Sequence, residues 1–166
     1  MKLFMVYLGG RVTGCHIEMH DVRFVIGENI EQCYPKLKAQ WVGDKNAVHI
    51  DSYTEITHIN GYEVNLVTEH ISQSEKLYFV NMGGYHPTDL AEQHDFALFI
   101  ARSVQEAKNQ AYAQLLVGAS HLHKDNLHDV DDCFAIDLLD EKYFIKLTPS
   151  GKSKPLTPDW FGYHIL

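Results

Sequence analysis

Apolar residues fall in short blocks along this chain, and the blocks recur. Lys2-Leu3-Phe4-Met5-Val6-Tyr7-Leu8-Gly9-Gly10 returns 74 positions later as Lys76-Leu77-Tyr78-Phe79-Val80-Asn81-Met82-Gly83-Gly84. At the same offset, Glu18-x-His20-Asp21 returns as Glu92-x-His94-Asp95, Ala39-Gln40 as Ala113-Gln114, and His49-x-Asp51 as His123-x-Asp125. About 13 of the 50 positions from 2 to 51 are identical without a gap. Self-similarity at a fixed period marks a duplicated unit. Beyond Asp51 the second copy is about seven residues longer, and Tyr62-Glu63-Val64-Asn65-Leu66 then matches Tyr143-Phe144-Ile145-Lys146-Leu147.

The repeat lets each element be read twice. Residues 2–8 and 76–82 are short, apolar and aromatic, ended by a glycine pair, which predicts a buried strand. Residues 21–27 and 95–101 suit a second strand. Next comes a helix start in both copies: Ser103-Val104-Gln105-Glu106 is a capping box, and Asn29-Ile30-Glu31-Gln32 is the same device in the first copy. Helices are expected over 30–42 and 104–117. In the first of them Pro35 removes an interior hydrogen bond and should kink the helix or delay its start. Strands over 49–58 and 62–68 flank Asn60-Gly61, a strong hairpin signal, and strands over 131–139 and 142–148 flank Asp140-Glu141. The pattern predicts an α+β fold of two tandem ββαββ repeats, residues 1–70 and 71–150. The polar linker Thr68 to Glu75 is too short to let the copies drift apart, so pseudo-twofold symmetry around one shared core is expected. Residues 151–166 form a tail, and its Trp160-Phe161-Gly162-Tyr163-His164-Ile165-Leu166 should dock on the body. A partner-binding peptide is the lesser reading.

Composition narrows the partners. The chain has 166 residues, 45% of them apolar, enough to build a core without a staple. The formal charge of −8 repels polyanions, and beyond a mild drift of Lys142, Lys146, Lys152 and Lys154 no basic footprint is visible. Nucleic acid is excluded as a partner on this ground. The three cysteines, Cys15, Cys33 and Cys133, lie far apart with no CxxC, which predicts a reducing, cytoplasmic setting. The apolar start is broken by Gly9-Gly10 and recurs at position 76, as a removable leader would not. The longest apolar stretch is too short to span a bilayer, so no membrane role is expected.

Candidate chemistry lies in the polar and glycine positions kept in both copies. Gly9, Gly10, Gly83 and Gly84 could present backbone amides to an anion, with Asp21 and Asp95 nearby. The blander reading makes the glycines positive-φ turns at crowded strand ends. In Glu-x-His-Asp, residues two apart share a strand face, so Glu18 with His20, and Glu92 with His94, would project together. Imidazole with carboxylate suits zinc, manganese or iron, and His49, Asp51, His123 and Asp125 could complete such a set. The chain holds 11 histidines. Against a metal, no compact signature such as HExxH is present, and the aspartates could simply hold loop amides. A structural role predicts that His20 and Asp21 lie remote from His49 and Asp51. Nothing points to a nucleophile: there is no GxSxG elbow, and Cys33, on the first helix, reads as a core residue. Trp41, Tyr62 and Tyr143 read as packing residues, since a base-stacking platform would have basic neighbours.

The Lys-Leu-Phe-Met-Val-Tyr-Leu-Gly-Gly start, the run Ile17 to Gly27, Tyr34-Pro35 to Trp41-Val42-Gly43 and His49-Ile50-Asp51-Ser52 together resemble a bacterial domain-of-unknown-function family, number 1543. The resemblance covers residues 2–148. It implies a bacterial cytoplasmic protein with a duplicated unit, and it brings no activity. The second copy departs from the first at Lys108-Asn109 and Leu115, in place of Tyr34-Pro35 and Trp41. The expected function is a soluble, non-enzymatic module that binds a small molecule or a protein, needs no cofactor and is compatible with a homo-oligomer. The alternative is a metal-dependent hydrolase-type enzyme, with His20, His94 and the neighbouring carboxylates near the pseudo-twofold axis.

Overall fold

The computed structural model describes residues 1–85, 88–115 and 130–166. It is mostly strand, with two short helices. In chain order the elements are β1 (Lys2–Gly10), β2 (Met19–Gly27), α1 (Tyr34–Gln40), β3 (His49–Glu55), β4 (His58–Ile59) and β5 (Tyr62–Val67). They continue with β6 (Lys76–Gly84), β7 (Gln93–Ala101), α2 (Val104–Gln114), β8 (Val130–Ala135), β9 (Leu138–Leu139), β10 (Tyr143–Pro149) and β11 (Trp160–Ile165). Two compact units result, one from residues 1–57 with 154–166, the other from residues 58–153. They cut across the sequence repeat, because the hairpin of the first copy, β4 and β5, hydrogen-bonds to β10 of the second.

In the first unit the sheet order is β11-β3-β1-β2. β1 is buried on both faces, which is why its sequence is continuously apolar and does not alternate. Phe4, Val6 and Leu8 share a core cluster with Val25, Leu37, Trp41, Val48 and Ile50. α1 supplies Leu37 to that core. A 3₁₀ turn over Glu31–Cys33 precedes it, and Pro35 stands in its first turn, so the proline delays the start and does not kink the interior. The Asn29 side chain accepts from the Gln32 amide, while the Gln32 side chain reaches back to the amide of Glu28.

In the second unit the same device starts α2: Ser103 accepts from the Glu106 amide, and Glu106 reaches back to the amide of Arg102. Ala107 and Ala111 pack this helix on Tyr78, Val80 and Met82 of a three-stranded sheet ordered β7-β6-β8. A separate four-stranded sheet runs β4-β5-β10-β9. Its central pair is in register about Asn65 opposite Lys146, with Val64 facing Leu147 and Leu66 facing Ile145. Only at Asn65 and Lys146 do equivalent residues of the two copies face one another; Val64 and Leu66 each face the other's counterpart. Gln73 of the linker clamps β10, donating to the Ile145 carbonyl and accepting from the Leu147 amide.

Three expectations change. The strands expected over 49–58 and 131–139 are each broken, at Ile56 and Ile136. The amides of these buried isoleucines bond to the carbonyls of Leu3 and Leu77, turning the chain out of one sheet before the hairpin begins. The second change concerns the glycine pairs. Gly9-Gly10 and Gly83-Gly84 lie inside β1 and β6, and positive φ among glycines occurs only at Gly14, Gly61 and Gly151 of the described residues. The third is the alignment of the copies. In both copies a β-bulge follows the same point, with Leu8 facing Ile50 and Met82 facing Val130. Val130 therefore matches Ile50 at an offset of 80, and Asp131 matches the bulge residue Asp51. Six of the seven extra residues of the second copy precede β8. The seventh lengthens the β9–β10 turn, where Asp140 and Glu141 take positive φ as Asn60 and Gly61 do in the two-residue turn of the first copy.

The tail is an edge strand. β11 pairs with β3, Trp160 stacks on Tyr53 with centroids 5.9 Å apart, and the Leu166 amide bonds to Val48. Its entry is fixed by Asp159, which accepts from the Glu55 amide at 2.7 Å, from the Thr54 hydroxyl and from Lys154 at 2.8 Å. Burial works against the charged form of this carboxylate, yet these donors outweigh it and hold its pKa below the ordinary value. A carboxylate with a lowered folded pKa contributes stability above its unfolded pKa, about 3.9, and loses it as the pH falls through the folded value. Asp159→Asn should therefore lower the urea unfolding free energy by about 1–2 kcal/mol at pH 6, discounted for partial exposure. The gap to the wild type should close as the pH is taken from 4 to 3. A gap that stayed constant would refute the ionic origin.

Candidate functional site

Gly9 is the centre of the best-organised polar cluster. Across β1 its register partner on one side is His20 of β2 and on the other His49 of β3. Cross-strand partners project to the same face, so two histidines far apart in sequence flank a residue that has no side chain. The bulge at Asp51 bends β3 and re-aims this carboxylate toward the same point. A Cβ on Gly9 would meet His49 Nε2 at 2.5 Å and Asp51 Oδ2 at 2.8 Å. The glycine is there because the imidazole and carboxylate occupy the space above it.

The four first-copy residues singled out from the sequence, Glu18, His20, His49 and Asp51, are brought together. His49 Nε2 lies 3.2 Å from Asp51 Oδ1 and 3.5 Å from Glu18 Oε1, and His20 Nε2 lies 3.4 Å from Asp51 Oδ2. Carboxylate and imidazole alternate in the order Glu18, His49, Asp51, His20. His49 is buried, 1% exposed, whereas Glu18 and His20 face solvent. Two atoms of the cluster, His49 Nδ1 and Asp51 Oδ2, are buried with no hydrogen-bond partner. Such groups are costly and need a reason. Among the described residues, no three His, Cys, Asp or Glu side chains are arranged to hold a metal ion as they stand. Asp51 meets the two imidazoles with different oxygens.

Two aromatic residues that the search for twice-kept polar positions passes over complete the surroundings. Tyr7 stacks on His20, centroids 5.3 Å apart and planes 6° from parallel, and Tyr163 of the tail lies over His49 at 4.1 Å. Burial, then the charges of Asp51 and Asp21, push the Tyr7 phenol above its ordinary pKa. Position 81 in the second copy is asparagine, which is why Tyr7 leaves no repeat signal. Beside the cluster, the β1–β2 loop forms a cleft of about 570 Å³ with Arg11, Cys15, His16, Glu18 and Asp44 in its wall. Glu18 belongs to both.

The remaining candidates divide. Gly10 makes room for Trp41, whose ring a Cβ would approach to 2.9 Å. Asp21 faces Leu8 across the sheet, accepts from the Val22 amide and pairs with Arg23 at 2.5 Å, so it stands apart from the cluster. Asp95 accepts from the Phe96 amide in the same way. In the second copy Gly83 faces His94, as Gly9 faces His20, and His94 lies 3.9 Å from Glu92. His123 and Asp125 lie outside the described residues. By strand register the partners of Ile50 and Asp51 are Val130 and Asp131, so the His-x-Asp match at offset 74 does not follow the strand register.

The family model described as Domain of Unknown Function (DUF1543) matches residues 15–66 and 89–139, once in each copy. Among solved structures the chain is similar to protein Il1583 from Idiomarina loihiensis. The two are 39% identical, with a TM-score of 0.79 over 99% of this chain and 97% of that one. No curated protein matches. Among the described residues no helix is long and apolar enough to cross a membrane.

Proposed function

Because the chain belongs to the DUF1543 family, whose description carries no activity, its role rests on the site itself, and we propose a binding module that takes a small polar ligand at the Glu18–His20–His49–Asp51 cluster. The observation that carries this is Asp51 Oδ2, buried without a hydrogen-bond partner, which stands with His49 Nε2 over a glycine whose missing side chain makes their space. Purely structural polar residues are normally paired. Holding is favoured over turnover because His49 is shielded by Tyr163, and a general base must reach the proton it takes. The net charge of −8 supports a neutral or cationic ligand over a polyanion. We infer too that the two copies keep one ββαββ plan, supported by the matching helix caps, bulges and hairpin turns.

The test is a thermal-shift screen of untagged protein against divalent metal chlorides, amino acids, nucleosides and dicarboxylates. Saturation at a hundredfold Kd adds about 2.7 kcal/mol. That is an expected rise of roughly 5–10 °C at this chain length. The rise should vanish in Asp51→Asn. No stabilising compound, or one that stabilises Asp51→Asn equally, would refute the reading.

A further inference from the structure

The sequence of β11 is that of an interior strand, and its place in the fold is that of an edge. Trp160 to Leu166 contains no Asp, Glu, Lys or Arg. One face packs on the core through Trp160 and Leu166. The other face carries Phe161, Tyr163 and Ile165. By register Phe161 lies beside Ser52 and so in line with Tyr7, and Ile165 lies beside His49 and so in line with Gly9. Tyr7 and Gly9 are two apart on β1 and share a face. Tyr163 joins the stripe, since its ring lies over His49. These three side chains are 78%, 66% and 61% exposed. Among the described residues β11 pairs only with β3, so its outer side is an open sheet edge. An uncharged, apolar edge is a template for pairing with another chain.

We propose that β11 is the contact surface for a second copy of this chain. The two β11 strands meet edge to edge and antiparallel about a twofold axis, and their four-stranded sheets run on into one. Charge selects this edge. The other described edge strands longer than two residues carry charged residues: Asp21 and Arg23 on β2, Asp95 on β7, Asp132 on β8. Each chain bears a net charge of −8, so two copies repel unless the surface where they touch is free of carboxylates. The charged groups at the ends of β11 suit such a contact. Asp159 before it is paired with Lys154 at 2.8 Å, and Lys38 donates to the Leu166 carbonyl after it. Area favours a second copy as the occupant. Large aromatic side chains bury about 150–250 Å² each, so the exposed parts of the three side chains amount to roughly 400 Å². A twofold contact counts the same patch twice. With the backbones of the two paired strands added, the total reaches about 1,000 Å², the lower bound for a specific interface. A dimer that forms and separates with concentration is therefore expected, not a permanent one.

The experiment is analytical ultracentrifugation of the full, untagged chain over roughly 2–200 µM, the range in which an interface of this size should dissociate. The expected result is a mass that rises from one chain towards two, with a midpoint that added sodium chloride does not raise, since no ion pair is needed at the seam. Phe161→Lys and Ile165→Lys place a charge on the edge, and each should weaken association at least tenfold. Both positions are exposed, so the melting temperatures of the dilute variants should match that of the dilute wild type, which separates lost association from lost folding. Leu90→Lys, at an exposed apolar position of the second unit, should associate like the wild type. A chain that stays monomeric at the highest concentration overturns the proposal, even if the edge accepts a strand from another protein. A dimer that persists unchanged in both β11 variants, or that Leu90→Lys abolishes, overturns it as well, because the copies then meet elsewhere.

Discussion

Trp41→Ala should lower the stability of the first unit by about 3–5 kcal/mol, the usual range for emptying a large buried aromatic site. Trp41 closes α1, its amide bonding to the Leu37 carbonyl, and its ring is 2% exposed among Leu8, Leu37, Val48 and Ile50. The surroundings are built to its shape. A Cβ on Gly10 would approach the indole to 2.9 Å, and one on Gly43 would come within 2.7 Å of Nε1. Two glycines on different segments cannot collapse into the cavity, because they have no side chains with which to fill it. The indole N–H is buried without a partner, so Trp41→Phe removes a desolvated donor together with part of the ring. It should cost less than half as much as the alanine variant. The chain's two tryptophans, Trp41 and Trp160, both lie in the first unit, so Trp160 fluorescence in a urea titration reads that unit directly. In the second copy the matching residue Leu115 is only partly buried, and Leu115→Ala should cost less. Equal urea midpoints for wild type and Trp41→Ala would show that the indole is not what holds this core.

Much of this architecture is legible in local sequence, and the reasons for the exceptions are physical. Helix caps, hairpin turns and buried strands depend on a few adjacent residues, so Asn29, Ser103 and Asn60-Gly61 announce their elements. The break at Ile56 does not announce itself, because an apolar residue suits a strand interior as well as a corner between sheets. Pairings such as β5 with β10 and β11 with β3 join segments far apart in the chain, and periodicity carries no information on which strands meet. The site is half legible. Identity at offset 74 selects Glu18 and His20 through an ungapped stretch. The same offset selects His123 and Asp125 only by assuming that the stretch continues, and the strand register moves the matching positions to residues beyond an insertion. Gly9 stands out in the sequence for the wrong property: its φ is ordinary, and what matters is the volume it leaves.

That volume carries the second large expectation. Gly9→Ala should destabilise the first unit by about 2–3 kcal/mol, the upper part of the range for overpacking a tight interior. It should also abolish ligand binding at the cluster. The new methyl would stand 2.5 Å from His49 Nε2 and 2.8 Å from Asp51 Oδ2, so one of them must leave. His49 cannot turn away cheaply, since it is 1% exposed and Tyr163 packs on its other side. Asp51 is the bulge residue, so its displacement pulls on the β1–β3 ladder. Gly14→Ala is the matched control. Gly14 has φ +88°, and a methyl added there would meet nothing within 4 Å. Its cost is the backbone strain alone, about 1–2 kcal/mol, with the cluster untouched. Urea unfolding followed by fluorescence, with titration of each folded variant by a compound that stabilises the wild type in the thermal-shift screen, separates the two effects. If Gly9→Ala binds that compound like the wild type, the cluster is not where the ligand goes. If it is also as stable as the wild type, the close approach of His49 and Asp51 to this glycine is not a constraint on the fold, and the reason for a glycine within β1 must be sought elsewhere.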